Sequence, residues 1–203
     1  MRAKSFSILE HTGRRIGGIA LTAAYVFGLA GCYQGVEPDS TPPHVYILKW
    51  EQAANGSQGP QTTIESGGSF AVSGSWLGPN QADIRVYADA PHGVRLLTVS
   101  GTATGTCSTK VNSSGQFFTA PSPLSASFPV HTETAPANTT RSFMAFHLDN
   151  TVLLDQSCGT HSYNGAPPNL EYFLDTPAAW TITGVAENGS GLKTTATFHI
   201  TVQ

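Results

Sequence analysis

Charged residues are scarce in this sequence, since only 11% of its 203 residues are Asp, Glu, Lys or Arg. A soluble domain usually contains roughly a quarter, and exposed helix faces depend on Glu, Lys and Arg. No window of eleven or more residues beyond residue 31 shows convincing helical periodicity. The composition therefore disfavours helical architectures. The abundant Ser, Thr, Val and Gly suit strands and turns, so the sequence predicts an all-β protein.

Basic residues are fewest in the body of the chain. Residues 1–31 contain four Lys or Arg and one Glu, whereas the remainder contains six basic and twelve acidic residues. A mildly acidic body of this kind has no basic stripe with which to neutralise phosphates. We therefore expect no nucleic-acid partner.

Sequence motifs of catalysis are also missing. No serine has glycine at both −2 and +2, and there is no H-E-x-x-H, Walker, dinucleotide-binding or EF-hand motif. We expect a non-enzymatic protein without a cofactor. An enzyme of another type stays an alternative, and it would need titratable groups that converge in a cleft.

A single extended apolar run, IGGIALTAAYVFGLAG, occupies residues 16–31. Sixteen helical residues rise about 24 Å, which is short of the ~30 Å hydrocarbon core of a bilayer. The run follows Arg14 and Arg15 and ends in small residues, which is the layout of a secretory signal peptide. Residues 1–31 are therefore predicted to be a cleaved signal peptide, with an uncleaved membrane span as the alternative.

The end of this run, Leu29-Ala30-Gly31-Cys32, resembles the lipobox of bacterial lipoproteins. The resemblance implies cleavage before Cys32, a diacylglyceryl thioether on its sulfur, and N-acylation, for example by palmitate. One acyl chain binds a membrane only marginally, whereas two or three hold a domain there almost permanently. Tyr33 follows the cysteine, in place of the Asp that retains many lipoproteins at the inner membrane, so the outer membrane is the expected location. An ordinary signal peptide with an incidental cysteine is the alternative.

Residues 33–43, YQGVEPDSTPP, lack periodicity and contain three prolines. We interpret 32–43 as a flexible tether and 44–203 as a single β domain. Strand-like segments alternate with turn clusters along that domain. The predicted strands are 44–50, 62–66, 69–76, 82–89, 94–107, 115–120, 124–131, 141–148, 151–158, 178–187 and 192–202.

The segment ADIRVYAD (82–89) alternates most clearly. Ile84, Val86 and Ala88 fall on one face of a strand, and Arg85 and Tyr87 fall on the other. This pattern is typical of a strand with one buried face.

The last two predicted strands flank ENGSGL (187–192), where Asn188-Gly189 predicts a tight hairpin turn with positive φ. Residues 180–191 follow the pattern W-x-I-x-x-x-A-x-[DN]-x-x-G, which resembles the terminal hairpin of bacterial immunoglobulin-like modules. SFAVSGSW and ADIRVYAD resemble their early strands. The resemblance implies an immunoglobulin-like antiparallel β-sandwich. Because the body exceeds the ~100 residues of a simple module, 107–177 is interpreted as an elaborated middle region.

Two cysteines, Cys107 and Cys158, are left once Cys32 is assigned to lipid. An even pair in an oxidising compartment predicts a disulfide. The loop it closes would make it worth on the order of 4 kcal/mol. Free buried thiols are the alternative. No Trp lies between the two cysteines, so the usual Cys-Trp-Cys arrangement of immunoglobulin domains is absent.

The densest polar cluster, FHLDNTVLLDQSCGTH (146–161), contains His147, Asp149, Asp155 and His161. His147, Asp149 and His161 suggest a metal site as one hypothesis. We favour the alternative that they are solvent-facing strand and turn residues, with Asp149-Asn150 as a turn, and we expect no metal. The three tryptophans, Trp50, Trp76 and Trp180, are predicted to lie in the core.

A Pro- and Gly-broken segment, 159–177, carries Tyr163, Tyr172 and Phe173 and is predicted to be a long loop. Long loops in compact domains are often functional. These three aromatics are therefore candidate ligand-binding residues for a glycan or a protein partner. The alternative is that Tyr172 and Phe173 hold the loop against the sheet.

These features together predict a lipid-anchored protein of the bacterial cell envelope. We expect it to act as a non-enzymatic binding, adhesion or scaffold module. A carbohydrate- or peptidoglycan-binding lipoprotein and a lipoprotein subunit of an envelope or secretion complex are the two alternatives.

Overall fold

The computed structural model describes residues 40–52, 58–73, 83–110, 115–162 and 170–203. These contain nine strands and one short helix: β1 His44–Gln52, β2 Gln58–Ile64, β3 Ser69–Val72, β4 Asp83–Thr109, β5 Leu124–Thr134, β6 Arg141–His147, α1 Asn150–Leu153, β7 Ser157–His161, β8 Leu170–Asn188 and β9 Lys193–Val202. The prediction of an all-β protein is confirmed. The predicted signal peptide, Cys32 and most of the predicted tether lie outside the described residues. Within the described ranges, no helix has the length and hydropathy needed to cross a bilayer.

The long strand β4 organises the sheet. Two separate strands were predicted over 82–89 and 94–107, but the backbone continues as a single strand of 27 residues. Its N-terminal part pairs with β1 and β6, and its C-terminal part pairs with β5 and β8. The register of its pairing with β6 shifts between Asp89 and Val94. Gly93 lies in this shift with φ 87°, and a Cβ there would lie 2.5 Å from Thr140 Oγ1, so the position requires glycine.

The described strands belong to one hydrogen-bonded sheet, which forms two layers because the two parts of β4 pair with different strands. The first layer has the order β2-β1-β4-β6, and the second has the order β5-β4-β8-β9-β3, with β7 beside the start of β8. The pairs are antiparallel except for β3 and β9, which are parallel. The two layers meet face to face, because a Cβ on Gly184 of β8 would lie 2.9 Å from Val45 of β1 and 3.1 Å from Val86 of β4.

The core lies between these layers. From the first layer, Ile84, Val86 and Ala88 are fully buried while Arg85 and Tyr87 are half-buried, which confirms the predicted alternation. The second layer contributes a matching set of fully or almost fully buried side chains: Leu97, Val99, Ala103, Trp180, Ile182, Phe198 and Ile200. Each such large side chain contributes about 1.5–3 kcal/mol when buried. The buried alternation thus stabilises both layers against each other.

The segment after β6 differs from its prediction. A strand was predicted over 151–158, but Asp149 accepts hydrogen bonds from the backbone N–H groups of Thr151 and Val152 and caps the one-turn helix α1. A short polar side chain at this position favours a helix start over an extended strand. Leu153 is fully buried, and Trp180 Nε1 donates to its carbonyl at 3.1 Å. The helix therefore closes one part of the core. The predicted strand over 115–120 was also wrong, since it forms only an isolated bridge between Ser108 and Thr119.

The hairpin between β8 and β9 is confirmed, but its turn is built differently. Positive φ occurs at Gly191, with a value of 82°, and not at Asn188 or Gly189 as predicted. Asn188 is fully buried, and its side-chain oxygen accepts from the N–H groups of Ser190 and Leu192. Its amide nitrogen donates to the carbonyl of Thr41 at 3.0 Å. The buried Asn188 side chain therefore stabilises the turn through these three hydrogen bonds.

A disulfide joins Cys107 to Cys158, as predicted, with the two Cα atoms 6.5 Å apart. It connects the end of β4 to β7, which itself pairs with β8. Cys107 is fully buried and Cys158 is nearly so. The bridge therefore ties the segment that carries β5, β6 and α1 back onto the second layer.

Candidate functional site

The aromatic candidates predicted in a loop have a different environment in the structure. The loop prediction over 159–177 was wrong for 159–161, which end the strand β7, and for 170–177, which begin the strand β8. Tyr172 is fully buried, so its ring is not available at the surface. Phe173 is half-buried, with Lys110 Nζ 4.3 Å from the centre of its ring. Tyr163 lies outside the described residues. The placement of Tyr172 and Phe173 agrees with the alternative reading, in which they hold the segment to the sheet.

The polar cluster at 146–161 does not converge on one point. His147 Nε2 lies 3.3 Å from Asp83 Oδ1 on the outer side of the first layer. Asp149 caps α1, and His161 Nε2 lies 2.8 Å from the carbonyl oxygen of Cys158. In the part of the chain that the structure describes, no three metal-ligating side chains are grouped as a candidate metal site.

A different cluster is assembled by the outer side of the first layer. Alternation along β1 directs Val45 and Ile47 into the core, so Tyr46 and Trp50 lie on the opposite side of the strand. Strand pairing then sets Tyr46 opposite Tyr87 of β4. We call this surface the aromatic face. Its members are His44, Tyr46, Trp50, Asp83, Arg85, Tyr87, Asp89, Phe143 and His147.

The rings of the aromatic face form a connected row across three neighbouring strands. Ring centroids are 5.8 Å apart between Phe143 and Tyr87, and also between Tyr87 and Tyr46. Tyr46 and Tyr87 are nearly parallel, with 15° between their planes. His44 stacks on Tyr46 at 4.7 Å, and Trp50 meets Tyr87 edge-on at 6.0 Å. Such pairs stabilise one another by about 0.5–1.5 kcal/mol and hold the row in place.

An arginine–carboxylate pair lies beside Trp50 in this row. Arg85 donates to both carboxylate oxygens of Asp83, at 2.6 and 2.7 Å, and its guanidinium carbon lies 5.8 Å from the Trp50 ring centre. The hydrogen bond to Asp83 raises the pKa of Arg85 above its ordinary value. The guanidinium is thus held charged and in a set orientation against the tryptophan.

A second carboxylate orients Tyr46. The hydroxyl of Tyr46 donates to Asp89 Oδ2 at 3.0 Å. Burial, then this hydrogen bond and the charge of Asp89, raise the pKa of Tyr46 to about 12. His44 lies between two carboxylates, with Nε2 2.7 Å from Glu65 Oε2 and Nδ1 3.9 Å from Asp89 Oδ1. The rings and the polar groups between them therefore have set positions before any ligand arrives.

Chemically, this arrangement is suited to binding. Phe143 exposes 54% of its surface, and Tyr46, Trp50 and Tyr87 are half-buried. Beside Phe143 lies an open depression of about 530 Å³, also lined by Arg85, Glu133 and Arg141. Binding sites commonly combine aromatic side chains with a few oriented polar groups, as this face does.

Sequence reasoning found one part of this face and missed the rest. Tyr87 and Arg85 were correctly predicted on the outward side of their strand. Trp50 was predicted in the core but is half-buried on the outer face, whereas the prediction for Trp180 is confirmed by its 1% exposure. Trp76 lies outside the described residues. The alternation His44-Val45-Tyr46-Ile47 was the available indication that His44 and Tyr46 face outward. The pair Leu48-Lys49 interrupts this alternation before Trp50.

Compared with known proteins, the chain matches no protein-family model, and no curated protein is significantly similar to it.

Proposed function

We propose that the chain is a bacterial lipoprotein that acts as a non-enzymatic binding module, held at the outer membrane by acyl chains on Cys32. The anchor is supported by the LAGC motif at the end of a basic and then apolar segment. The membrane is therefore one partner, and an envelope glycan or protein bound by the folded domain is the other.

We further propose an immunoglobulin-like sandwich for the domain. Such a sandwich places strands A, B and E in one sheet and C, F and G in the other, with C′ added beside them in the variable type. The orders β1-β4-β6 and β5-β4-β8-β9 support this, with the two halves of β4 in the places of B and C. The domain differs from the standard pattern because β4 is continuous and the disulfide joins β4 to β7.

The aromatic face is the observation that carries the binding function. Its rings lie on the solvent side of a layer whose inner side supplies the core, and they surround Leu48, which pairs with Arg85 on the same side and is 7% exposed. Its charged groups are paired with one another, as in Asp83 with Arg85 and His44 with Glu65, and do not converge on a reacting centre. This arrangement favours recognition over catalysis.

The anchor is tested by Cys32→Ser in the native host. We expect the wild type in the outer-membrane fraction, with an N-terminal peptide that carries the mass of its acyl chains. Cys32→Ser should be released from membranes or left unprocessed. A Cys107→Ala/Cys158→Ala control removes two other cysteines and should keep the lipid. A processed Cys32→Ser protein that still fractionates with membranes would contradict the proposal.

A further inference from the structure

We propose that the aromatic face binds a neutral glycan chain built of pyranose units. The inference rests on the proposed binding function and names the ligand class. It concerns the row from Phe143 through Tyr87 to Tyr46 and the two carboxylates beside it, Asp83 and Asp89.

The spacing of the rings fits a chain of sugar units. A pyranose has a face of C–H groups, whose slight positive charge complements the negative face of an aromatic ring. The row has two steps of 5.8 Å, from Phe143 to Tyr87 and from Tyr87 to Tyr46. Each step is close to the length of one sugar unit in an extended chain. A chain laid across β6, β4 and β1 would therefore pass one ring of the row for each sugar unit.

Hydrogen-bonding groups lie at the rim of the row. Asp83 accepts from Arg85 and lies near His147, and Asp89 accepts from Tyr46, yet a carboxylate has about four acceptor positions. Each carboxylate therefore keeps positions for a sugar hydroxyl. Arg85 uses its Nε and one terminal nitrogen on Asp83, and its fork carries five N–H donors. The face thus offers oriented acceptors and donors on both sides of the rings.

The charge and the apolar content of the aromatic face favour a neutral glycan over other ligands. Asp83 and Asp89 of the face, with Glu65 and Glu133 beside it, outnumber the two guanidinium groups of Arg85 and Arg141, so an anionic polymer would be repelled. A protein interface needs a contiguous apolar centre from which charge is depleted. Here charged residues alternate with rings, and Phe143 is the one large apolar side chain of the described face that is mostly exposed. A neutral chain rich in hydroxyls matches both features.

The test uses full-length protein purified in detergent, with chitohexaose and cellohexaose as probes. Binding is measured by calorimetry and by tryptophan fluorescence, to which Trp50 contributes from within the face. We expect saturable binding of at least one oligosaccharide. Phe143→Ala and Tyr87→Ala should each weaken it by about tenfold or more. Phe117→Ala is the matched control, because Phe117 is 61% exposed and lies outside the aromatic face, and it should stay within about twofold of the wild type.

The outcomes separate the ligand class from the anchor. Binding of chitohexaose alone supports a neutral N-acetylated glycan, and binding of both supports recognition of the pyranose shape. Phe143 is mostly exposed and contacts the row through Tyr87, so its alanine variant should fold and melt within about 4 °C of the wild type. Absence of binding to both probes by folded protein overturns the inference, as does equal affinity in Phe143→Ala. Cys32→Ser should bind the probes like the wild type, so failure of the anchor and failure of the glycan site are distinguishable.

Discussion

The outer faces of the two layers are built from different residues. The first layer presents the aromatic face, whereas the second layer presents mainly hydroxyl side chains. Thr98 Oγ1 lies 3.5 Å from Thr132 Oγ1, and Thr104 Oγ1 lies 3.5 Å from Ser125 Oγ. The hydroxyl residues of the second face are Thr98, Ser100, Thr102, Thr104, Ser125, Ser127, Thr132, Thr181, Thr183, Thr195 and Thr197.

The difference between the two faces shows which residue types an exposed face of this sheet requires. Threonine has a high β propensity and can face water, so it meets the needs of an exposed sheet face. The second layer shows that this protein builds most of such a face from threonine and serine, although Phe173 of β8 is also half-buried on it. An exposed sheet face therefore does not require the tyrosines, tryptophan and phenylalanine of the first layer, and binding is the use that we propose for them.

The largest expected change in the free energy of unfolding comes from removing the disulfide, which stabilises the core shared by the two layers. Cys107→Ala with Cys158→Ala should lower the free energy of unfolding by about 4 kcal/mol, since the bridge spans 51 residues. Both faces should still unfold in a single transition, because their inner sides form one hydrophobic cluster. Urea denaturation followed by fluorescence and by circular dichroism measures this. Two separate transitions would show that the layers unfold independently and do not share one core.

An exchange of residue types between the faces tests whether the sheet requires the aromatics. Tyr87→Thr should cost about 1 kcal/mol, because the ring contacts with Tyr46 and Phe143 are lost. Thr183→Tyr, the reverse change on the second face, should stay within about 0.5 kcal/mol of the wild type. Chemical denaturation gives both values. A cost of about 3 kcal/mol or more for Tyr87→Thr would place the row in the structural core and count against its role in binding.

A pH dependence is expected at the aromatic face alone. The pKa of Tyr46 is about 12 in the fold against an ordinary value of 10.0. Below pH 10 the hydroxyl is neutral in both the folded and the unfolded chain, so its stabilising contribution is fully present. Above pH 10 the unfolded chain ionises first, and the contribution is lost as the pH rises towards 12.

Tyr46→Phe lacks this titration. The difference in free energy of unfolding between wild type and Tyr46→Phe should therefore shrink by about 1 kcal/mol between pH 9 and pH 12, after allowance for the partial exposure of the ring. Other groups that titrate in this range are common to both proteins and cancel. Urea denaturation at a series of pH values measures the difference. Parallel curves would show that burial and Asp89 do not hold the hydroxyl neutral.

Much of the fold follows from local pattern. The alternation at 84–88 and the hairpin between β8 and β9 were predicted correctly because period-two burial and a turn are properties of adjacent residues. Two failures share a cause. The continuity of β4 through 90–93 and the helix after Asp149 depend on pairing partners and on a capping hydrogen bond. The pairing partners are not visible in residue type, and Asp149 was interpreted as a turn residue and not as a helix N-cap.

The candidate site was harder to predict for the same reason. Tyr172 and Tyr87 are both tyrosines in strands, yet one is fully buried and the other lies half-buried on an outer face. Their sequence neighbours do not distinguish them, because burial is decided by which layer covers each side of the strand. Aromatic residues were therefore expected in a loop when the exposed row lies on the sheet.

By itself the sequence determined the strand-rich architecture, the alternation of its strands, the even pair Cys107 and Cys158, and the expectation of a lipid anchor at Cys32. Composition, period and cysteine count are local quantities that require no knowledge of neighbours in space. Only the tertiary structure decided that Tyr46, Tyr87 and Phe143, up to 97 positions apart in the chain, form one row. Strand register brings such residues together, and register is set by the packing of both layers around a common core.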